Sequence, residues 1–236
     1  MENILSEIRN TLKENADEQT LLSSQRFFKE TTRQYGVKNP EVRKISKVYF
    51  KEIKDLSKEE IFSYCEQLLQ SGYMEEAFIA CHWSQNLHKK YEPSDFQLFK
   101  KWIDTYIDNW ATCDTFCNHT MGMFIEKYPK YIEKLKTFTQ SENRWMKRAA
   151  AVSLIVPARK GAFLQDIFEI ADALLMDPDD MVQKGTGWLL KTASEAHQDE
   201  VFNYLMQHKD HMPRTSLRYA LEKMPAEKRA AAMQRS

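Results

Sequence analysis

Three tryptophans stand one helical turn from charged residues: Trp110 from Asp114, Trp145 from Arg148, and Trp188 from both Lys184 and Lys191. Side chains three or four positions apart share a helix face. An aromatic wall beside a carboxylate, with Arg and Lys near, suits a site that holds a cation or a sugar face next to a phosphate-binding rim. Tryptophans at this spacing equally suit a packed helical core, and spacing alone leaves both readings open. A second set, Cys113, Cys117 and His119, has the i, i+4 spacing of metal ligands on one helix face. No HExxH motif, and no HxE paired with CxxC, accompanies it, which removes the zinc-deaminase signature. GxGxxG, Walker and GxSxG loops are missing too, so nucleotide-dependent transfer and α/β-hydrolase chemistry lack support.

The elements that must position these residues are helices. The chain has 236 residues, 42% hydrophobic and 29% charged, with only 6 Gly and 7 Pro. That is too little turn chemistry for a many-stranded sandwich or barrel, while helix formers abound. An all-α chain with ample core is expected, as a single domain over residues 1–236. Lys+Arg 34 balance Asp+Glu 34, so any anionic partner must be met by local clustering of basic residues rather than by net charge. No apolar run reaches the roughly 20 residues that span a bilayer. Met1 to Asn10 also lacks a signal-peptide stretch. These features predict a cytoplasmic protein away from membranes, with its four cysteines as buried thiols.

Helix starts are expected at Asn39-Pro40 (cap and first residue), at Ser57 with Glu60 and Ser94 with Gln97 (capping boxes), and at Asp177-Pro178. About a dozen helices suit this length. Ala77, Cys113, Ala149 and Gly185 recur at a spacing of about 36 residues, as do Cys81, Cys117, Ser153 and Leu189, and Met74, Trp110, Met146 and Val182. This shared stripe predicts a curved solenoid of antiparallel helix pairs, of the HEAT or armadillo kind. It also makes Cys113 and Cys117 core residues rather than metal ligands, so no metal is predicted. The preceding column, Glu76, Thr112, Arg148 and Lys184, is polar and variable. It is expected beside the packing stripe, facing solvent or a concave surface. It turns basic late in the chain, where Arg144, Lys147, Arg159, Lys160 and Lys191 stand nearby. Those cations read either as a positive groove or as a solvated face balanced by Glu142, Asp179 and Asp180.

Read together, Asn109-Trp110-Ala111-Thr112-Cys113-Asp114, Asn143-Arg144-Trp145-Met146-Lys147-Arg148-Ala149-Ala150 and Val182-Gln183-Lys184-Gly185-Thr186-Gly187-Trp188-Leu189-Leu190-Lys191 resemble the AlkD family of DNA alkylation repair proteins. Arg26-Phe27-Phe28-Lys29, followed by Tyr35-Gly36-Val37-Lys38-Asn39-Pro40-Glu41-Val42-Arg43, is similar to that family's amino-terminal signature. The resemblance runs from about Arg26 to Lys191. It implies a cofactor-free DNA glycosylase that hydrolyses the N-glycosidic bond of cationic alkylated purines, chiefly 3-methyladenine and 7-methylguanine, in duplex DNA; a monomer is expected.

The residue roles come with the resemblance. Asp114 matches the family's catalytic aspartate, Trp110 and Trp188 its cleft tryptophans, and Arg148 its phosphate-gripping arginine. Arg43, Lys184, Lys191, Arg159 and Lys160 match in kind the residues lining its DNA groove. Phe27 stands where the family has Tyr, and Asn109-Trp110-Ala111 stands where it often has WWD. The family works without a deep base pocket, and the chain carries no pocket motif. Related subfamilies on this fold have lost excision and bind DNA structures instead. A glycosylase, a non-catalytic module binding damaged or distorted DNA, and a protein-interaction solenoid are therefore the three function readings.

Overall fold

A computed structural model describes residues 2–234. Among them there is no sheet; the nearest approach is an isolated bridge between Arg33 and Tyr73. No helix among them is long and apolar enough to cross a membrane. The helices are shorter and more numerous than the dozen expected, and the chain falls into two compact units, Met1–Phe116 and Cys117–Ser236.

The first unit contains α1 (Glu2–Glu14), α2 (Glu18–Gln25), α3 (Asn39–Ile53), α4 (Lys58–Gln70), α5 (Met74–Asn86), α6 (Asp95–Tyr106) and α7 (Trp110–Phe116). Helices α1, α3, α5 and α7 pack in succession as one layer, with α4 on α5 and α6 on α4 as a second. The second unit opens on a π-helical turn, Cys117–Met121. It continues with α8 (Gly122–Lys127), α9 (Ile132–Lys136), α10 (Arg144–Val152), α11 (Ile155–Arg159), α12 (Leu164–Ala173), α13 (Asp180–Ala193), α14 (Gln198–His208), α15 (Arg214–Leu221) and α16 (Ala226–Met233). There α10, α13 and α15 form one layer, while α9 packs on α12 and α14 on α16. Stacked helix pairs are thus the building principle of each unit, as in a helical solenoid.

The repeat is visible in the hydrogen bonds as well as the packing. Trp83 Nε1 donates to the Ser46 carbonyl, 37 positions away (2.9 Å), and the Lys58 ammonium reaches Asp95, also 37 away (3.1 Å). In the second unit His197 Nε2 meets the Gly161 carbonyl 36 positions away (2.9 Å). The predicted small-residue column is buried throughout: Ala77, Cys113, Ala149 and Gly185. All four cysteines are buried thiols, and burial pushes those of Cys65 and Cys81 well above the ordinary range.

Of the expected helix starts, only Ser57 with Glu60 forms a capping box. Ser94 is already helical and its side chain caps nothing. Its neighbour Asp95 instead accepts the Glu92 N–H (2.8 Å) and the Lys58 ammonium. Helix α13 begins two residues later than expected, because Asp179 accepts from Met181 N and Val182 N (2.8 and 3.2 Å), while Asp177 holds Asp179 N and Lys147. Asn39 is the first residue of α3 rather than its cap.

The polar column also needs correction. Glu76, Thr112 and Arg148 are buried and only Lys184 is half-buried. Glu76 turns inward because Arg9 Nε (3.1 Å) and the Tyr35 hydroxyl (2.8 Å) both donate to its carboxylate. A buried charge needs such partners. Burial and that carboxylate together push the Tyr35 hydroxyl well above the usual phenol range.

Candidate functional site

Helix α7 carries two of the predicted site residues, and its start explains their setting. The Asn109 side chain accepts from Thr112 N (2.9 Å), capping the helix at its first turn. The residue standing where the resembled family often has Trp is therefore a cap, which fixes the register of Trp110 and, one turn later, Asp114. In the first unit Trp110 is the exception in its repeat column. Met74 is buried, whereas Trp110 is half-buried. Its Nε1 donates to the Phe27 carbonyl (3.3 Å) and its ring stacks on Phe28 at 5.3 Å between centroids and 20° between planes. Phe27 itself is 72% exposed. Asp114 is half-buried.

Two clefts in this unit share Asn39 and Phe78 as lining residues. The first, of about 510 Å³, has Phe27, Phe28, Phe78, Trp110 and Ala111 among its walls, with Asp17, Lys38 and Glu75 as its charged members. The second, of about 470 Å³, is lined by Arg43, Pro40, Val42, His82 and Thr115 together with the shared pair. In sequence Asp114 lies between the α7 residues of the first cleft and the α7 residue of the second. The strap over residues 33–38 closes the first cleft because Glu75 holds it: Gly36 N and Val37 N donate to its Oε1 (2.9 and 3.1 Å) and Tyr35 N to its Oε2 (3.1 Å). Gly36 adopts φ +87°, and a Cβ there would lie 2.7 Å from the Asp17 carbonyl, so the turn needs glycine. Sequence reasoning missed Glu75 and Phe28. The acidic pair opening α5 was a usable signal for Glu75; for Phe28 there was only its place beside Phe27.

Arg43 is exposed and has no carboxylate partner among the described residues. The cations predicted in the second unit differ. Lys184 pairs with Asp180 (3.2 Å), Lys191 with Glu222 (2.9 Å), Arg159 with Glu195 (3.6 Å) and Lys160 with Glu126 (2.6 Å). Arg144 and Lys147 are paired likewise, with Asp179 and Asp177. Asp177 thereby raises the Lys147 ammonium's pKa. Arg148, 5% exposed, donates from Nη1 to the Met181 carbonyl at the start of α13. A Cβ on Gly185 would come within 3.3 Å of its Cγ, and one on Gly187 within 2.6 Å of the Ser216 carbonyl. The two glycines therefore let α13 lie close to Arg148 on one side and to α15 on the other. Trp188, on the same helix, is half-buried.

One group in the second unit has the geometry of metal ligands, the carboxylates of Glu133, Asp166 and Glu169. The Lys136 ammonium already binds all three.

Comparison with known proteins bears on the family and the fold. The family model for DNA alkylation repair enzymes matches residues 8–224. A solved structure described as a predicted DNA alkylation repair enzyme from Enterococcus faecalis superposes with a TM-score of 0.80 over 90% of this chain and 98% of that one, at 16% sequence identity. At that identity the likeness is one of fold. No curated protein matches the chain.

Proposed function

The chain belongs to the DNA alkylation repair enzyme family, and we propose that it is an alkylpurine DNA glycosylase that removes 3-methyladenine and 7-methylguanine from duplex DNA by hydrolysis. The observation that carries this reading is the setting of Trp110. Its column is a packing column, yet Trp110 is only half-buried, oriented by the Asn109 cap, Phe28 and the Phe27 carbonyl, one turn from Asp114. A scaffold helix has no need of that arrangement.

In this reading the alkylated purine, already cationic, leaves with the electrons of the glycosidic bond and becomes neutral, while positive charge builds on the deoxyribose as an oxocarbenium ion. The Asp114 carboxylate stabilises that charge, orients the water that bonds to the sugar carbon and takes up the proton the water loses. Trp110 packs on the sugar of the lesion and excludes bulk water, and Trp188 is the second unit's aromatic contact with the DNA backbone. Phosphates are met by Arg43 and, with exchange of a carboxylate partner for a phosphate, by Lys184, Lys191, Arg159 and Lys160. Arg148 acts mainly as the brace that sets α13, and with it Lys184 and Trp188, in place.

The test is single-turnover release of 7-methylguanine and 3-methyladenine from methylated duplex DNA by the unaltered protein and by Asp114→Asn, which removes the charge at nearly constant size. A fall on the order of a hundredfold or more is expected. Equal excision by both moves the chemistry away from Asp114. DNA binding by both with no base released makes the protein a non-catalytic module for damaged or distorted DNA.

A further inference from the structure

Helix α2, Glu18–Gln25, buries none of its residues. A helix that short does not persist in water by itself, and without a buried face it is not held by apolar packing either. What holds it lies at its two ends. At the start, Asp17 caps the helix by accepting from the Thr20 N–H (2.7 Å), and the Asp17 N–H donates to the Gly36 carbonyl (3.1 Å). At the finish, Phe27 N and Phe28 N donate back to the Ser24 and Gln25 carbonyls (3.0 and 3.2 Å), and both residues meet Trp110, one through its carbonyl and the other through its ring. The helix is slung between Gly36 and Trp110. Gly36 is where the buried Glu75 carboxylate acts, since it gathers the N–H groups of Tyr35, Gly36 and Val37. A charged acceptor strengthens each of those bonds, and burial keeps water from competing for them. The start of the strap has fastenings of its own: the Tyr35 ring stacks on Tyr73 at 4.2 Å, its hydroxyl donates to Glu76, and the Arg33 carbonyl accepts from Met74 N (2.9 Å). Weakening Glu75 therefore loosens the strap at Gly36 and Val37 while residues 33–35 stay in place.

We propose that Glu75 is a positioning residue for the reaction, setting the Trp110 ring through the strap, α2 and Phe28. This rests on the glycosylase reading for the identity of the reaction. A loosened strap frees the Asp17 end of α2, the shift passes along a helix with no buried face to absorb it, and it arrives at Phe27 and Phe28. The indole then loses the two contacts that orient it, the stack on Phe28 and the hydrogen bond to the Phe27 carbonyl. Asp114, one turn along α7, keeps its place because the Asn109 cap is independent of the strap. A displacement of about an ångström beside the reacting atoms costs up to about a hundredfold in rate, so a carboxylate that orders one ring contributes to catalysis without touching the DNA. The Glu75 wall of the first cleft is on this account a fastening rather than a group that receives a ligand.

Trp83, Trp102 and Trp145 are buried, whereas Trp110 and Trp188 are half-buried, so in a Trp188→Phe protein acrylamide quenching of the fluorescence reads Trp110. Glu75→Gln keeps the size and one acceptor oxygen but sets an amide NH2 against a backbone N–H, and it should raise the quenching constant about twofold. Phe28→Ala should raise it as much, and the two changes together no further, because both cut one line of support. With Trp188 in place, Glu75→Gln should slow single-turnover excision at saturating protein about tenfold or more while DNA affinity stays within about twofold. A role confined to stability would move the denaturation midpoint and leave the quenching of the folded protein and the saturating rate as they were. Unchanged quenching, a rise that adds to that of Phe28→Ala, or an unchanged excision rate overturns the proposal. If Glu75→Gln does not fold, Gly36→Ala takes its place in the same cycle, since a Cβ there meets the Asp17 carbonyl at 2.7 Å and parts the strap from α2 with the carboxylate intact. The two readings fail separately. A raised, non-additive quenching in a protein that releases no base keeps the hold of Glu75 on Trp110 and removes the glycosylase, whereas excision indifferent to Glu75 removes the positioning role alone.

Discussion

The two units are built by one packing rule and diverge in what they do with their polar residues. In the first, the departures from the rule are unburied: Trp110 is only half-buried in a core column, Phe27 stands in solvent, and Arg43 has no carboxylate partner among the described residues. In the second, Met146 and Val182 keep the Trp110 column buried, and the cations predicted to grip DNA are held by acids of their own unit. In a repeat protein, a side chain that disobeys its column is a better guide to a site than a charge that fits a motif. Motif cations are equally good at tying one repeat to the next.

The sharpest way to break that contrast is Arg148→Ala. As the brace of α13, Arg148 has its guanidinium on the Met181 carbonyl and its stem beside Gly185. Its removal leaves a buried acceptor and a cavity, costing about 2–4 kcal/mol. Chemical denaturation should show a lower midpoint at unchanged slope. An unaltered midpoint accompanied by a flatter salt dependence of DNA binding would return Arg148 to the phosphate rim and erase the contrast.

The fold was legible in the sequence because packing columns recur at 36 residues and burial admits only small or apolar side chains there. Ala77, Cys113, Ala149 and Gly185 satisfy that requirement whatever their partners are. Helix starts were legible where the cap is local, as at Ser57, and not where a distant charge competes, as when Lys58 takes Asp95 and Lys147 takes Asp177. The same limit governs the site. That Asp114 and Trp110 share a face follows from spacing, but that Glu76 and Arg148 turn inward depends on Arg9, Tyr35 and Met181, whose proximity no local pattern announces. The first cleft was illegible for that reason, since its walls come from α2, the strap, α5 and α7.

A middle-sized effect would sharpen the comparison through salt. An exposed cation with no carboxylate partner gathers no internal compensation, so its contact with a phosphate releases a counterion in full. Arg43→Ala should lower the slope of log affinity against log salt by about 0.9 on duplex DNA. Lys191→Ala removes a cation already neutralised by Glu222, and its slope change should be clearly smaller. Equal falls for the two variants would show that carboxylate pairing in the unbound protein is no guide to which cations meet DNA.

The smallest effect concerns a property in which the units should agree. Burial disfavours the Lys58 ammonium, but hydrogen bonds and charge from Glu92 and Asp95 outweigh it and hold its pKa above 10.5. In the second unit burial likewise opposes the Lys136 ammonium, and Asp166, Glu133 and Glu169 raise its pKa by the same route. Below the ordinary lysine value both the folded and the unfolded chain carry the proton, and the folded state keeps its full advantage. As pH climbs past that value the unfolded chain gives up its proton first, so stability declines until the folded lysine deprotonates too. Denaturation midpoints should therefore fall above about pH 10.5, and Lys58→Met and Lys136→Met should each flatten part of that alkaline limb while leaving the neutral range without a pH slope. A limb that one variant flattens and the other leaves untouched would mean that the units differ in their supporting electrostatics as well as in their exposed residues. The departures of Trp110, Phe27 and Arg43 would then lose their standing as a mark of function, because a general difference in how the two units are held together would account for them.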